Sequence, residues 1–199
     1  DTLQPAPAPT WVGQATAVEQ ARAVAEVAAA VQVAKIFRRD ITAAQADMRR
    51  ACSRFAMADR AFYNFRRGSK NVNGPTVYLA RELGRCFGNM QWGIVELRRD
   101  EAGGISEMQA FAWDVENNSR QSTTFVVPHA RDITVTVDGE TENQIKPLST
   151  LRDVYENNAN QGARRQREMI LGLLPQWFVD EAVELCRKAL RKGEGDKSL

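Results

Sequence analysis

The sequence predicts an α+β fold: an antiparallel β-meander plus a hairpin packed against a long helix, with flanking N- and C-terminal helices. Residues 90 to 128 form three segments of strand-like alternation separated by turn formers. Residues 150 to 174 carry a helical repeat with a cap at one end and Pro175 at the other. Residues 14 to 37 and 176 to 192 read as helices on either side.

"DTLQPAPAPT" alternates Pro with Ala, so residues 1–14 are expected to be a flexible leader with no signal-peptide pattern. From Gln14 to about Phe37 an Ala/Val-rich run predicts the first helix. Thr42 with Gln45 makes a capping-box pattern, which would start a second helix through "AAQADMRRACSRF". "AFYNFRRGSKNV" reads as a strand and turn, with rings at Phe62, Tyr63 and Phe65. "NGPTVYLARELGRCFGN" is a punctuated helix, with Pro75 in its first turn, an apolar stripe of Val77, Ala80, Leu83 and Phe87, and a stop at Gly88.

The meander follows as "MQWGIVELRR", "SEMQAFAWDVEN" and "RQSTTFVVP". In its middle strand Glu107, Gln109, Phe111, Trp113 and Val115 share one face, and Met108, Ala110 and Ala112 the other. Residues 129–146 hold an Asp-Gly turn signal and no core pattern, which predicts a projecting loop or loose hairpin. Thr150 with Asp153 would cap the long helix. Leu151, Tyr155, Ala159, Gly162, Ala163, Met169, Ile170 and Leu173 fall in one arc of it, with Gln166 the lone polar residue there. The opposite side collects Asn157, Asn160, Gln161, Arg164, Arg167 and Glu168, with Arg165 at its margin. "QWFVDEAVELCRKALRK" is a last amphipathic helix, and residues 193–199 are expected to be a flexible tail. No internal repeat is evident.

A chain of 199 residues suits one domain, expected over 15–192. No apolar run reaches the ~18 residues of a membrane span. Cys52, Cys86 and Cys186 are few, odd in number and far apart, which disfavours a disulfide framework or a zinc site and fits a reducing cytoplasm. The net charge of +2 hides an asymmetry: residues 35–85 hold twelve Lys/Arg against four Asp/Glu. Such a block fits a polyanionic partner; its competitor is a solvated face that happens to be arginine-rich.

Catalytic constellations are sparse. No G-x-x-x-x-G-K-[ST] loop occurs, since "GEGDKS" lacks the spacing. His129 is the only histidine and reads as the end of a strand, so any Ser-His or Cys-His dyad depends on it alone. A divalent-metal nuclease would have to draw on Glu96, Glu107 and Asp114, without a lysine anywhere between Lys70 and Lys146. Basic and aromatic residues interleave instead in "FYNFRRGSK", where Arg66, Arg67 and Lys70 stand beside three rings. Guanidinium forks neutralise phosphates, and rings stack on unpaired bases.

The order of strand with basic turn, "NGPTVYLARELG" helix, three-stranded meander, loop and helix with "NQGARRQREMILGLL" resembles the phage single-strand annealing proteins of the Red-beta, RecT and Erf class. Their core is shared with the eukaryotic annealing rings. "GPTVYLARELGRCFGN" and "AFAWDVENNSRQSTTFVVPHAR" also resemble phage proteins of this length described as RecT-like. The likeness covers roughly residues 35 to 190; the loop at 129–146 and the first helix have no counterpart in it.

The resemblance implies ATP-independent binding of single-stranded DNA and its annealing to a complementary strand in phage recombination, by a homo-oligomeric ring or helical filament. It implies a bacterial cytoplasm, a possible partner exonuclease or host single-strand-binding protein, no membrane, no cofactor, no metal and no catalytic residue. Gln161 and Arg164 fall where the family's long helix lines its DNA groove. Arg165 and Arg167 extend that turn, Asn157 and Asn160 add amide donors, Arg66, Arg67 and Lys70 occupy the opposite wall, and Arg81 joins from the preceding helix. The competing readings are the nuclease and a non-catalytic nucleic-acid-binding scaffold.

Overall fold

A computed structural model describes residues 14–67, 70–137 and 140–195, which divide into two compact units that part between Arg38 and Arg39. The first unit is a single helix, α1 (Gln14–Ile36). Its alanines favour helix, and an exposed Arg22–Glu26 pair spans one turn at 2.8 Å. The leader at residues 1–13 lies outside the described residues.

The second unit opens with α2 (Ile41–Cys52). Its N-cap is Asp40, whose side chain accepts from the backbone N–H of Thr42 and Ala43, so the helix starts before the expected Thr42. A carboxylate at the cap satisfies two orphan donors and suits the helix dipole, which a threonine two residues later does less well. A short α3 (Phe55–Ala58) follows a break at Ser53, where one longer helix was expected.

Strands β1 (Phe62–Arg67) and β2 (Lys70–Pro75) form an antiparallel hairpin where a strand and turn were expected; residues 68 and 69 between them lie outside the described residues. Helix α4 (Val77–Phe87) is capped by Thr76, which accepts from the Leu79 N–H. Pro75 therefore ends β2 rather than opening α4. Gly88 ends α4 with φ of 75°, a left-handed conformation that suits glycine.

The meander is β3 (Met90–Asp100), β4 (Ile105–Asp114) and β5 (Ser119–Pro128), antiparallel in that order. Along β4, Ser106, Met108, Ala110, Ala112 and Asp114 are buried, while the residues between them are half-buried. The covered face is the one made of small side chains and methionine, because a helix can lie close only where side chains are short. The rings of Phe111 and Trp113 stand on the other face, where Phe111 lies against Gly93 on β3. Residues 130–147 form a regular hairpin, β6 (Ala130–Val137) with β7 (Glu140–Pro147), whose Asp-Gly turn lies outside the described residues.

Helix α5 (Leu151–Leu173) is capped by Thr150, which accepts from the Asp153 N–H at 3.0 Å and donates to Asp153 Oδ2 at 2.8 Å. It buries Val154, Asn158, Gly162, Gln166 and Ile170. These are strict i, i+4 neighbours, so the contact line drifts around the helix by ~40° per step instead of following a straight arc. Leu151 and Tyr155, expected in the buried arc, are accordingly exposed.

Helix α6 (Gln176–Gly195) runs past the expected end at 192; residues 196–199 lie outside the described residues. The main core gathers α2, α4, α6 and the end of α5 around Met48, Leu79, Leu83, Ile170 and Phe178. Phe178 is fully buried and meets Phe87 edge-on at 5.4 Å, a burial worth ~1.5–3 kcal/mol. Among the described residues no helix is long and apolar enough to cross a membrane.

Candidate nucleic-acid interface

A groove of about 440 Å³ runs between α5, the first turn of α4 and the β1–β2 hairpin. Ala163, Arg164 and Arg167 form one wall, and Tyr63, Thr76 and Val77 the other. Local sequence explains each position. Tyr63 pairs with Gly74 across the hairpin, and its ring occupies the space where a side chain at 74 would sit. Thr76 is fixed by donating to the Arg60 carbonyl at 2.6 Å while it caps α4. On α5, Gly162 lets the helix settle onto Ile94 of β3.

The two groove arginines differ in freedom. Arg164 is exposed and makes no ion pair or hydrogen bond among the described residues. Arg167 is largely covered, its guanidinium 4.8 Å from the centre of the Tyr63 ring. Its only carboxylate neighbour among the described residues is Glu168 at 3.7 Å, at the outer limit of an ion pair. Stacked on the tyrosine, the guanidinium keeps its N–H edges for an incoming oxygen.

The third arginine of the cluster goes elsewhere. Arg165 lies on the β5 side of α5, 5.9 Å from the Phe125 ring and 3.7 Å from Glu168, so "ARRQR" splits over two flanks. Arg81 is likewise outside the groove lining. Its Nε donates to Gln166 Oε1 at 2.8 Å, which satisfies a buried amide on α5. Asn157 commits one amide hydrogen to the Pro128 carbonyl at 3.0 Å, tying α5 to the end of β5. Asn160 is exposed and Gln161 half-buried on the same flank as Arg164. The side chains of Arg66, Arg67 and Lys70 lie outside the described residues.

No protein-family model, curated protein or solved structure matches this chain. What the site can do therefore rests on its own geometry. The carboxylates of the nuclease reading do not converge: Asp114 ends β4 on the covered face, Glu107 is seven residues earlier on the open face, and at ~3.3 Å per residue they stand ~23 Å apart. Glu96 is engaged by Arg99 at 2.7 and 2.8 Å. Among the described residues no group of three or more His, Cys, Asp or Glu is placed to hold a metal ion.

One polar cluster escaped the sequence reading. Ser106 Oγ lies 2.9 Å from His129 Nε2, 3.1 Å from Glu96 Oε1 and 2.9 Å from Asn158 Nδ2. Arg99 and Ser106 hold the Glu96 carboxyl below its usual range, so it is ionised and can only accept. The single Ser106 proton therefore goes to Glu96, and Ser106 accepts from both Asn158 and a protonated His129 Nε2. In that arrangement His129 donates to the serine and cannot take its proton. The cluster fastens β3, β4, α5 and the root of the β6–β7 hairpin, where the His129 N–H donates to the Gly104 carbonyl and the Leu148 N–H to that of His129.

Proposed function

We propose that this protein binds single-stranded DNA without ATP and anneals it to a complementary strand, acting as a homo-oligomer in phage recombination. The observation that carries the reading is the groove in which Ala163, Arg164 and the Tyr63-stacked Arg167 face Thr76 and Val77. Annealing needs a strand held by its phosphates while the pairing edges of its bases remain free, since phosphate contacts position a strand without reading it. Two guanidiniums on one flank, with Asn160 and Gln161 as further hydrogen-bond donors, supply that kind of grip. A single such groove reaches only a few nucleotides, so repetition of subunits along the strand supplies the affinity through effective concentration. The host cytoplasm, where such DNA is processed, is the compartment this role implies.

The test is to mix the full chain with two complementary oligonucleotides, one dye-labelled, at low and high salt. The expected outcome is faster pairing than the protein-free rate at low salt and loss of that acceleration at high salt. Arg164→Ala and Arg167→Ala should each weaken oligonucleotide binding roughly tenfold, since each removes a charge-assisted phosphate contact. Arg187→Ala, which breaks a local pair with Glu184 and a contact with the Phe62 ring outside the groove lining, should change it little. The double variant should also lower the slope of log affinity against log salt by roughly 1.4, about 0.7 for each phosphate on a single strand. Absence of acceleration at low salt, or equal effects from all three arginines, sinks the reading.

A further inference from the structure

The β6–β7 hairpin takes no part in the α5 groove or in the main core. Its strands pair with each other alone, and no third strand or helix packs along its described residues. Glu142 to Lys146 are exposed throughout, Ile145 to 75%, and a lone two-stranded hairpin this open is marginal in water without a second surface against it. Between Asp132 and Ile145 the chain carries four acidic residues, Asp132, Asp138, Glu140 and Glu142, and no basic one. Across the ladder Asp132 stands opposite Ile145, Glu140 opposite Val137 and Glu142 opposite Val135, so these acids meet no cation on the facing strand. Phosphates repel such an arm, which calls for a cationic protein surface instead.

The same chain offers one. A concavity of about 480 Å³ lies between the end of α2, α3 and α4, with Arg50, Arg54, Arg60 and Arg85 around it beside Ala56 and Met57. Arg50 pairs with Asp47 and Arg85 with Glu82, each within its own helix. Arg54 and Arg60 are exposed and have no ion pair among the described residues. Arg60 is held 3.9 Å over the Tyr78 ring, a stack that keeps its N–H edges for a carboxylate. Four guanidiniums against two carboxylates leave the concavity positive where the hairpin is negative. No hairpin residue of the same copy lines it. The hairpin leaves the sheet beside Ser106, whereas Trp92, which shares an adjoining hollow with Arg60 and Arg85, pairs with Ala112, six residues or ~20 Å along β4.

We infer that the acidic β6–β7 hairpin of one copy docks in the arginine concavity of the next. The inference rests on the homo-oligomer reading above and names the contact that would build it, from a segment that the likeness to annealing proteins does not cover. Donor and acceptor are different surfaces near opposite ends of the sheet, so the contact is heterologous. Each added copy brings one hairpin and one concavity, which repeat into a ring or a filament. Opposite charge on the two surfaces sets the polarity of the pairing and disfavours hairpin against hairpin.

Charge reversal read by sedimentation velocity of the full chain, with and without oligodeoxythymidine, tests the contact. The wild type is expected to assemble, and to do so less at high salt. Glu140→Lys with Glu142→Lys, or Arg54→Glu with Arg60→Glu, should each weaken assembly at least tenfold. An equal mixture of the two reversed proteins should assemble again, as should one chain carrying all four changes, because each then meets an opposite charge; that rescue also shows both variants folded. The milder Glu140→Gln with Glu142→Gln should weaken assembly in the same direction. A wild type that assembles while the reversed variants assemble equally well, or a mixture that is not rescued although both variants keep the wild-type unfolding temperature, overturns the docking and leaves the homo-oligomer reading standing. A wild type that stays monomeric with and without the oligonucleotide removes both.

Discussion

Arg39 is engaged on every side. Its Nε donates to the Phe87 carbonyl at 2.8 Å, and Nη2 donates to the Gly88 carbonyl and to Asp114 Oδ1, both at 2.9 Å. Its backbone N–H donates to Glu116 Oε2, and its guanidinium lies 3.7 Å over the Phe87 ring. One residue thus ties the entry to α2, the exit from α4 and the end of β4. Both side chains of the Arg39–Asp114 pair are 5% exposed, which decides the energetics: the pair gains little over an apolar replacement, but removal of one partner strands a buried charge. Arg39→Ala is therefore expected to cost about 3–5 kcal/mol in urea unfolding. Arg39→Lys should recover only part, because a lysine cannot reach three acceptors and cover a ring together. A loss below about 1 kcal/mol for the alanine variant would show the pair to be dispensable.

Between elements, the spacing of α5 from the sheet is set at Gly162, where an added Cβ would come within 2.7 Å of Ile94 Cγ2. An alanine here gains about 1 kcal/mol of helix propensity but meets a β-branched side chain with little freedom, and overpacking costs about 1–3 kcal/mol. Gly162→Ala is expected to lower the unfolding midpoint, and adding Ile94→Ala should recover part of the loss; a more stable Gly162→Ala would refute the close approach. Most of this level was legible in the sequence. The meander, the strand at 62–67, the Thr150 cap and the stops at Gly88 and Pro175 follow from local chemistry that burial does not override. Strand β2 and the regularity of the β6–β7 hairpin go beyond the strand and turn and the projecting loop or loose hairpin expected there. Tertiary contacts decided the rest. Gln166 stands out in the sequence only as the lone polar residue of the apolar arc and Asn158 in neither face, yet the i, i+4 contact ridge takes both inside, where Ser106 and Arg81 receive them. Arg164 and Arg167 were recognisable as one flank, but Tyr63 opposite them was one ring among three, and only the Gly74 pairing turns it into a wall. Ser106 and His129 are 23 positions apart and carry no motif, so nothing short of the fold joins them.

Across the whole molecule, charge sets the pH range in which this arrangement holds. Several carboxyls are kept below their ordinary range by partners: Glu181 by Arg49 and Gln45, Glu116 by Asn89 and the Arg39 N–H, Glu96 by Arg99 and Ser106, and Glu82 by Arg85. A carboxyl with a depressed value in the folded chain lends stability that is fully present above its unfolded value, near 4.5, and is lost as the pH falls through the folded one. Glu181 joins α6 to α2 and Glu116 joins the β4–β5 turn to the entry of α2, so their protonation loosens contacts between elements, not only within them. At the other end, burial holds the Cys86 thiol up to about 11, and the hydrogen bond to Cys186 together with burial holds the Cys52 thiol protonated above the ordinary thiol range. A raised thiol lends stability that is complete below its unfolded value of 9.0 and fades as the pH climbs through the folded one. Thermal unfolding should therefore give a plateau from about pH 5 to 8, an acid limb that begins near 4.5 and an alkaline limb that begins near 9. Glu181→Gln should lower the plateau and shrink the acid limb, and Cys86→Ala should shrink the alkaline one. Moderate salt should blunt the contribution of the solvent-facing Arg49–Glu181 pair more than that of the covered thiols. An acid limb unchanged in Glu181→Gln would mean that the α2–α6 contact is held by its apolar residues alone.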